Sequence, residues 1–263
     1  MLAVHYSLRH PLLTTDLVSS LSPDVPPALP FAHFPPAPIW TELASSLVAR
    51  LGPFVGIHWR LETLPTAHLP ACATSLVDQL VALKEKHPSL ATIYLATDYP
   101  LALLDGSLSD LKEKKLKANS DTFTKSLTLA HHVAFHSLVD DLNRRLPSLR
   151  LTSYGPELET IHLPPPLAAI LAALPEAQRT LNELDSGIPS LIDKLVVQQA
   201  NVFLAGMSTL EKVGETADRA CGKVSSYTEE IVDGRAKARD DGAEELWNEV
   251  ERFSTDGKWD NTE

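Results

Sequence analysis

The segment from Phe54 to Glu62 (Phe-Val-Gly-Ile-His-Trp-Arg-Leu-Glu) constrains this chain more than any other. An apolar run of strand length ends abruptly in a histidine, an arginine and a carboxylate. Burying a guanidinium without a partner costs several kcal/mol. In open α/β sheets, however, the crevice beyond the carboxyl ends of the strands is where ligands bind. Arg60 is therefore a candidate anion hook, the alternative being a structural ion pair with Glu62 or a neighbouring acid.

Two further segments have the same character. Ala91 to Asp98 (Ala-Thr-Ile-Tyr-Leu-Ala-Thr-Asp) is a β-branched, apolar run that stops in a hydroxyl and an acid, as a buried parallel strand ending at a crevice would. From Asp193, a helical pattern runs into a short strand ending near Gly206, and the chain then reaches Cys221-Gly222-Lys223-Val224-Ser225-Ser226-Tyr227-Thr228-Glu229. Ser225 or Ser226 reads as an N-cap, with Glu229 close behind in a capping-box-like arrangement. Backbone N–H groups at such a helix start, together with the positive end of the helix dipole, suit a phosphate.

In this order the segments resemble the GDP-fucose protein O-fucosyltransferases and their fungal relatives. The resemblance rests on His58-Trp59-Arg60, on Ala96-Thr97-Asp98, on Ala200-Asn201-Val202-Phe203-Leu204-Ala205, and on Ser225-Ser226-Tyr227-Thr228 with Arg235 downstream. No single motif is specific; their order over roughly residues 50 to 240 carries the likeness. Between Gly206 and Cys221 this chain is longer than the family's usual short turn, and Ser208-Thr209 within that stretch lacks the following aromatic and the arginine.

The resemblance implies an α/β, Rossmann-like parallel sheet forming one half of a GT-B type glycosyltransferase. It further implies metal-independent, inverting transfer of fucose from GDP-fucose to a Ser or Thr hydroxyl of an acceptor protein domain. No cofactor or metal is expected. Following the family's pattern, Arg60 would stabilise the departing diphosphate and His58 would support the nucleotide site. Asp98 would sit near the base or ribose, and Ser225, Ser226 and Thr228 would contact phosphates or base. Glu62 would orient Arg60 or serve as a general base, and the orienting role is favoured. The resemblance also implies the lumen of the endoplasmic reticulum or Golgi, and a Cys72–Cys221 bridge in such an oxidising compartment. From the residues alone, two unrelated buried thiols remain the simpler reading, because Cα separation is not legible.

The remaining sequence divides readily. Residues 1–50 read as a remnant of an N-terminal region, with prolines at 23, 26, 27, 30, 35, 36 and 38 making 22–38 an extended linker. By the resemblance, residues 51–240 would be the Rossmann-like nucleotide-sugar-binding domain, and 241–263 are expected to form an acidic helix over Gly242 to Phe253 followed by a tail. Within the domain, helices are expected over Cys72 to His87, Thr124 to Leu146, Pro164 to Leu174 and Ile188 to Ala200. Short strands are expected over Leu149 to Thr152 and Glu157 to Leu163. The lysine-rich stretch Leu108 to Asn119 reads as solvated. His132 and His136 share a helical face but lack a third ligand at a supporting spacing, which argues against zinc.

Composition excludes some classes. A net charge of −11 argues against a nucleic-acid surface, which needs clustered Lys and Arg. No apolar run approaches the roughly twenty residues that span a bilayer, and Met1 to His10 lacks the basic-then-apolar order of a signal peptide. Neither a Gly-x-Ser-x-Gly nor a Gly-x-Gly-x-x-Gly is present, which removes the common hydrolase and dehydrogenase signatures. The alternative to an enzyme is a truncated, non-catalytic relative that keeps the fold and at most weak nucleotide binding.

Overall fold

A computed structural model describes residues 36–61, 64–100, 116–117, 126–173, 187–206, 221–222, 226–243, 246 and 249–255. Glu62, Ser225, most of the Pro-rich stretch, the insertion after Gly206 and nearly all of Leu108 to Asn119 lie outside the described residues. The chain divides at Pro38, and every element below belongs to the unit Pro38–Glu263.

Five strands form one parallel sheet. Their ranges are β1 Phe54–Trp59, β2 Thr92–Thr97, β5 Arg150–Thr152, β6 Val202–Gly206 and β7 Glu249–Phe253; Leu116–Lys117 and Ser126–Leu127 (β3 and β4) pair separately as a two-stranded ribbon. The spatial order is β5-β2-β1-β6-β7, with every neighbouring pair parallel. The chain therefore builds outward from β1 through β2 to β5, then returns to add β6 and β7 on the other side. That reversal between β1 and β6 is the topological switch point of a Rossmann-like sheet, the place where such sheets open a crevice.

Period-2 alternation along β1 decides which side chains meet which helices. Val55, Ile57 and Trp59 enter the core shared with α2 (Leu69–Lys86) and α3 (Leu129–Arg145), alongside Leu76, Leu80, Phe135 and Leu138. Phe54, with Tyr94 and Ala96 of β2 and Phe203 and Ala205 of β6, enters a second core with α1 (Pro38–Leu51) and α6 (Gly187–Gln198). Burying each large aliphatic side chain stabilises by roughly 1.5–3 kcal/mol, so a sheet covered on both faces is the favourable solution for strands this apolar. Gly56 lets α6 sit close. A Cβ there would lie 2.9 Å from Ala200 Cβ and 3.0 Å from Val197 Cγ1.

The helices start and stop for local reasons. Pro38 opens α1 and Pro70 lies in the first turn of α2, where a missing N–H costs nothing. Thr128 caps α3 reciprocally with His131: the Thr128 backbone N–H donates to His131 Nδ1 at 3.1 Å. At its far end α6 is closed by Arg235 of α7 (Ser226–Asp240), which is 4% exposed. Its guanidinium donates to the carbonyls of Val197 (3.4 Å), Gln198 (3.3 Å), Ala200 and Asn201 (3.2 Å). Val197 and Gln198 end α6, and Ala200 and Asn201 lie in the turn just beyond it, where a cation is also favoured by the helix dipole.

Cys72 of α2 and Cys221 form a disulfide, Cα to Cα 5.5 Å, with both residues fully buried. Beyond it the backbones at Gly206 and Cys221-Gly222 touch, so closely that a side chain at Gly206 would collide with the Cys221 carbonyl and one at Gly222 with the Gly206 carbonyl. The end of β6 and the chain leading to α7 are thus pinned together on the α2 side of the sheet.

Three readings of the sequence are corrected. The compact unit starts at Pro38 and not after residue 50, because Leu43, Ala44, Leu47 and Leu51 of α1 are core residues. Glu157 to Leu163 is not a strand. Tyr154–Leu158 is a short helix, α4, whose Glu157 turns inward to accept from Thr152 Oγ1 at 2.6 Å and from Arg150, and the chain then runs irregularly to α5, Pro165–Ala172. The acidic C-terminal helix over Gly242 to Phe253 is also not formed: Glu249–Phe253 is β7, and buried Phe253 lies edge-on to Trp59 at 6.1 Å. An edge strand tolerates charged residues that would argue against a central one.

Candidate functional site

The carboxyl ends of β1, β2 and β6 and the start of α7 meet at one edge of the sheet. His58 stands in register with Ala96 of β2 and Ala205 of β6, both 2% exposed, so the residues flanking the imidazole on this face are small. The Tyr227 ring fills that space, its centroid 4.6 Å from that of His58. From the same helical turn Thr228 places Oγ1 2.9 Å from His58 Nδ1. The first turn of α7 is therefore locked to the end of β1 by a ring contact and a hydrogen bond.

Electrostatics assign His58 a specific state. Burial, reinforced by the Arg60 guanidinium, lowers its pKa to about 4, so the imidazole is neutral at physiological pH. It can exchange a hydrogen bond with Thr228 but brings no charge. Among the sequence-derived residues described at this edge, the positive charge belongs to Arg60, which is partly exposed just beyond β1. The backbone behind Arg60 is fixed from β2: Asp98, 6% exposed, accepts the Leu61 N–H on Oδ1 at 2.8 Å. Asp98 thereby ties the end of β2 to the residue after the arginine, a positioning task that the sequence did not reveal.

The candidate residues distribute as follows. His58, Arg60, Asp98 and Thr228 come together at the edge. Ser226 is the first residue of α7, whereas Ser225 and Glu62 lie outside the described residues. Arg235 belongs to the opposite end. Nine residues along α7 at about 1.5 Å each put it roughly 13 Å below Ser226, where it closes α6.

A second polar group lies beside this edge on the same face. Tyr94 of β2 donates from Oη to Asp193 Oδ1 of α6 at 2.6 Å, Tyr227 Oη donates to the Ser190 carbonyl at 3.1 Å, and Lys194 pairs with Glu230. Burial raises the Asp193 carboxyl to about 7 despite the Tyr94 hydrogen bond, which acts in the opposite direction. The carboxylate in turn helps raise Tyr94 and Tyr227 well above the ordinary phenol value, and contributes to raising Tyr154, after burial in each case. The sequence did carry one signal for this group. Asp193 interrupts the apolar stripe Ile188, Ile192, Leu195, Val196, where a carboxylate has no packing reason to be.

On the other face, His132 Nδ1 lies 3.0 Å from Tyr99 Oη, and burial lowers both His131 and His132. Among the described residues no three His, Cys, Asp or Glu side chains gather as a metal site, and no helix is long and apolar enough to cross a membrane. The chain matches no family model and no curated protein.

Proposed function

We propose that this chain is the donor-binding half of a GT-B type, inverting glycosyltransferase, using GDP-fucose to modify a Ser or Thr hydroxyl of an acceptor protein. One observation carries the reading: the His58–Thr228 contact, which joins the His-x-Arg strand to the Ser-Ser-Tyr-Thr helix at the switch point of the sheet. The two motifs lie 170 residues apart, and the fold puts them in hydrogen-bond distance.

Transfer without a metal must stabilise the charge that develops on the departing diphosphate. With His58 neutral, that task falls to Arg60, whose planar fork matches phosphate oxygens. The first turn of α7 supplies backbone N–H groups and the positive end of a 15-residue helix. Asp98 keeps the Leu61 amide, and hence the arginine, at a fixed height above the sheet. Glu62 would orient Arg60, Ser225 and Ser226 would add hydroxyls toward the phosphates or base, and the lumen of the secretory pathway would be the compartment. The Cys72–Cys221 bridge supports an oxidising environment.

Calorimetry with GDP tests the proposal. Arg60→Ala should weaken binding by more than about 2 kcal/mol, the scale for losing a charge-assisted partner, and Arg60→Lys should restore it only in part. Equal affinity for wild type and Arg60→Ala would make the arginine structural. The full activity would be read by mass spectrometry as fucose added to a folded acceptor domain.

A further inference from the structure

The imidazole at the end of β1 has two ring nitrogens, and only one of them is engaged. Thr228 Oγ1 lies 2.9 Å from Nδ1, whereas among the described residues no hydrogen bond reaches Nε2. His58 is partly exposed, although enough protein surrounds it to keep the ring neutral, and Nε2 is not one of the sealed polar atoms of the described residues. Thr228 is placed differently. It is 8% exposed, and its hydroxyl is already committed to the histidine. A threonine so buried offers a ligand little surface, which leaves it to act through the imidazole.

A neutral imidazole carries one ring proton, and the partner at one nitrogen decides what the other can do. If Thr228 accepts from Nδ1–H, Nε2 presents a lone pair. If the Thr228 hydroxyl donates to Nδ1, Nε2 carries the proton and becomes a donor. The surroundings favour the second arrangement. The Arg60 guanidinium acts on this ring, and α7 turns the positive end of its 15-residue dipole to the same edge. An edge of that sign gathers acceptor-rich ligands, which a lone pair would repel and an N–H would attract. The direction of the ring is held from a second side by Tyr227, whose ring packs on it at 4.6 Å and whose hydroxyl donates to the Ser190 carbonyl at 3.1 Å.

We infer that Thr228 is a positioning residue: its hydroxyl donates to His58 Nδ1 and holds the imidazole as the Nε2–H tautomer, which donates to a phosphate oxygen of a diphosphate bound at the edge. The anion is then met by an uncharged, directional donor from His58 beside the charged fork of Arg60. Thr228 itself makes no contact with the ligand.

This inference rests on the reading of the edge as a nucleotide-sugar site, and the experiment separates the two. Long-range 15N–1H correlation spectra of the full chain, labelled at histidine and recorded at pH 8, report the tautomer without any ligand, and the His58→Gln spectrum identifies the His58 signal among the ten imidazoles. GDP and inorganic pyrophosphate are titrated by calorimetry into the wild type, Thr228→Val and Thr228→Ser, with thermal melts confirming that each is folded. The wild type should show the Nε2–H pattern. Thr228→Val, which keeps the shape and removes the hydroxyl, should lose that pattern and bind both anions at least about tenfold more weakly, the scale of a hydrogen bond to a charged group. Thr228→Ser should restore both. In a His58→Gln background an amide N–H stands near the place of Nε2 and no tautomer remains to be set, so adding Thr228→Val should cost nothing further. An Nδ1–H wild type, or unchanged affinity in Thr228→Val, overturns the inference while leaving the edge intact. So does a full Thr228→Val loss in the His58→Gln background, which would mean that the threonine touches the ligand itself. A wild type that binds neither anion overturns the nucleotide-sugar reading and the inference with it.

Discussion

Removing the Cys72–Cys221 bridge is the perturbation whose size follows most directly from the structure. The cross-linked residues are 149 positions apart, and the loop they close holds β2, β5, β6 and helices α2 to α6. In the chain-entropy treatment the denatured ensemble loses about 2.1 + 1.5R ln n cal/mol/K, which for such a loop is about 5 kcal/mol at 25 °C. Residual structure in the denatured chain reduces this, so about 3–5 kcal/mol is expected. The double variant Cys72→Ala/Cys221→Ala avoids placing hydroxyls at two positions that are 0% exposed. With a urea slope near 3 kcal/mol/M, the upper end of the usual range, the midpoint should fall by roughly 1–1.7 M, and reduction of the wild type should reproduce most of that shift. A midpoint change under about 0.3 M with an unchanged slope would refute the reasoning. It would mean that the Gly206–Gly222 backbone contact alone holds β6 to the segment before α7.

Three further outcomes are expected. Arg235→Met keeps the stem but removes a buried guanidinium that donates to four carbonyls, of which Val197's keeps the Ala200 N–H; at the usual cost of buried unsatisfied groups it should lower stability by about 3 kcal/mol or more in a denaturant melt. Gly56→Val forces a branched side chain against Val197 and Ala200, and should cost about 1–3 kcal/mol or more through overpacking, measured the same way. The pH dependence has two opposing parts. His58, lowered to about 4, is protonated less readily folded than unfolded, so its contribution is full above the unfolded value of 6.5 and is lost as the pH falls toward 4. Asp193, raised to about 7, holds its proton more tightly when folded, so its contribution is present below 3.8 and is lost as the pH rises through 7. At about 1.4 kcal/mol per unit the two largely cancel between pH 4 and 6.5. Asp193→Asn should remove the second part, leaving a steep rise in stability with pH and a gain over wild type of about 2 kcal/mol or more at pH 8. Parallel urea midpoints at pH 5 and pH 8 would show it.

The sheet was legible because its strands are short, apolar and end in polar residues, a pattern that buried parallel strands produce and helices do not. β7 was missed because Glu249, Glu251 and Arg252 are acceptable only at an edge, and nothing in a local window says that a segment will be an edge. Helix α4 was missed because its reason is tertiary: Glu157 turns inward to meet Arg150 and Thr152. At the edge, the convergence of His58 with Thr228 followed from strand ends and a helix start. The Asp98 tie to Leu61 and the use of Arg235 as a helix closure depend on three-dimensional placement, which residue identity does not encode.

The central place of β1 has a consequence for how the chain is made. Phe54 hydrogen-bonds Asn201 through both its N–H, to Oδ1 at 2.8 Å, and its carbonyl, so one side of β1 is completed only by residues 147 positions later. At a synthesis rate of about 5–20 residues per second, the strand emerges from the ribosome roughly 7–30 seconds before that partner exists. During this interval β2 can cover one of its edges, but the other presents a row of unpaired amides beside a buried, apolar strand. Such an edge is a template for pairing with another chain. Yield in cells should therefore depend on chaperone capacity and on elongation speed across residues 60–200, quite apart from how stable the finished molecule is.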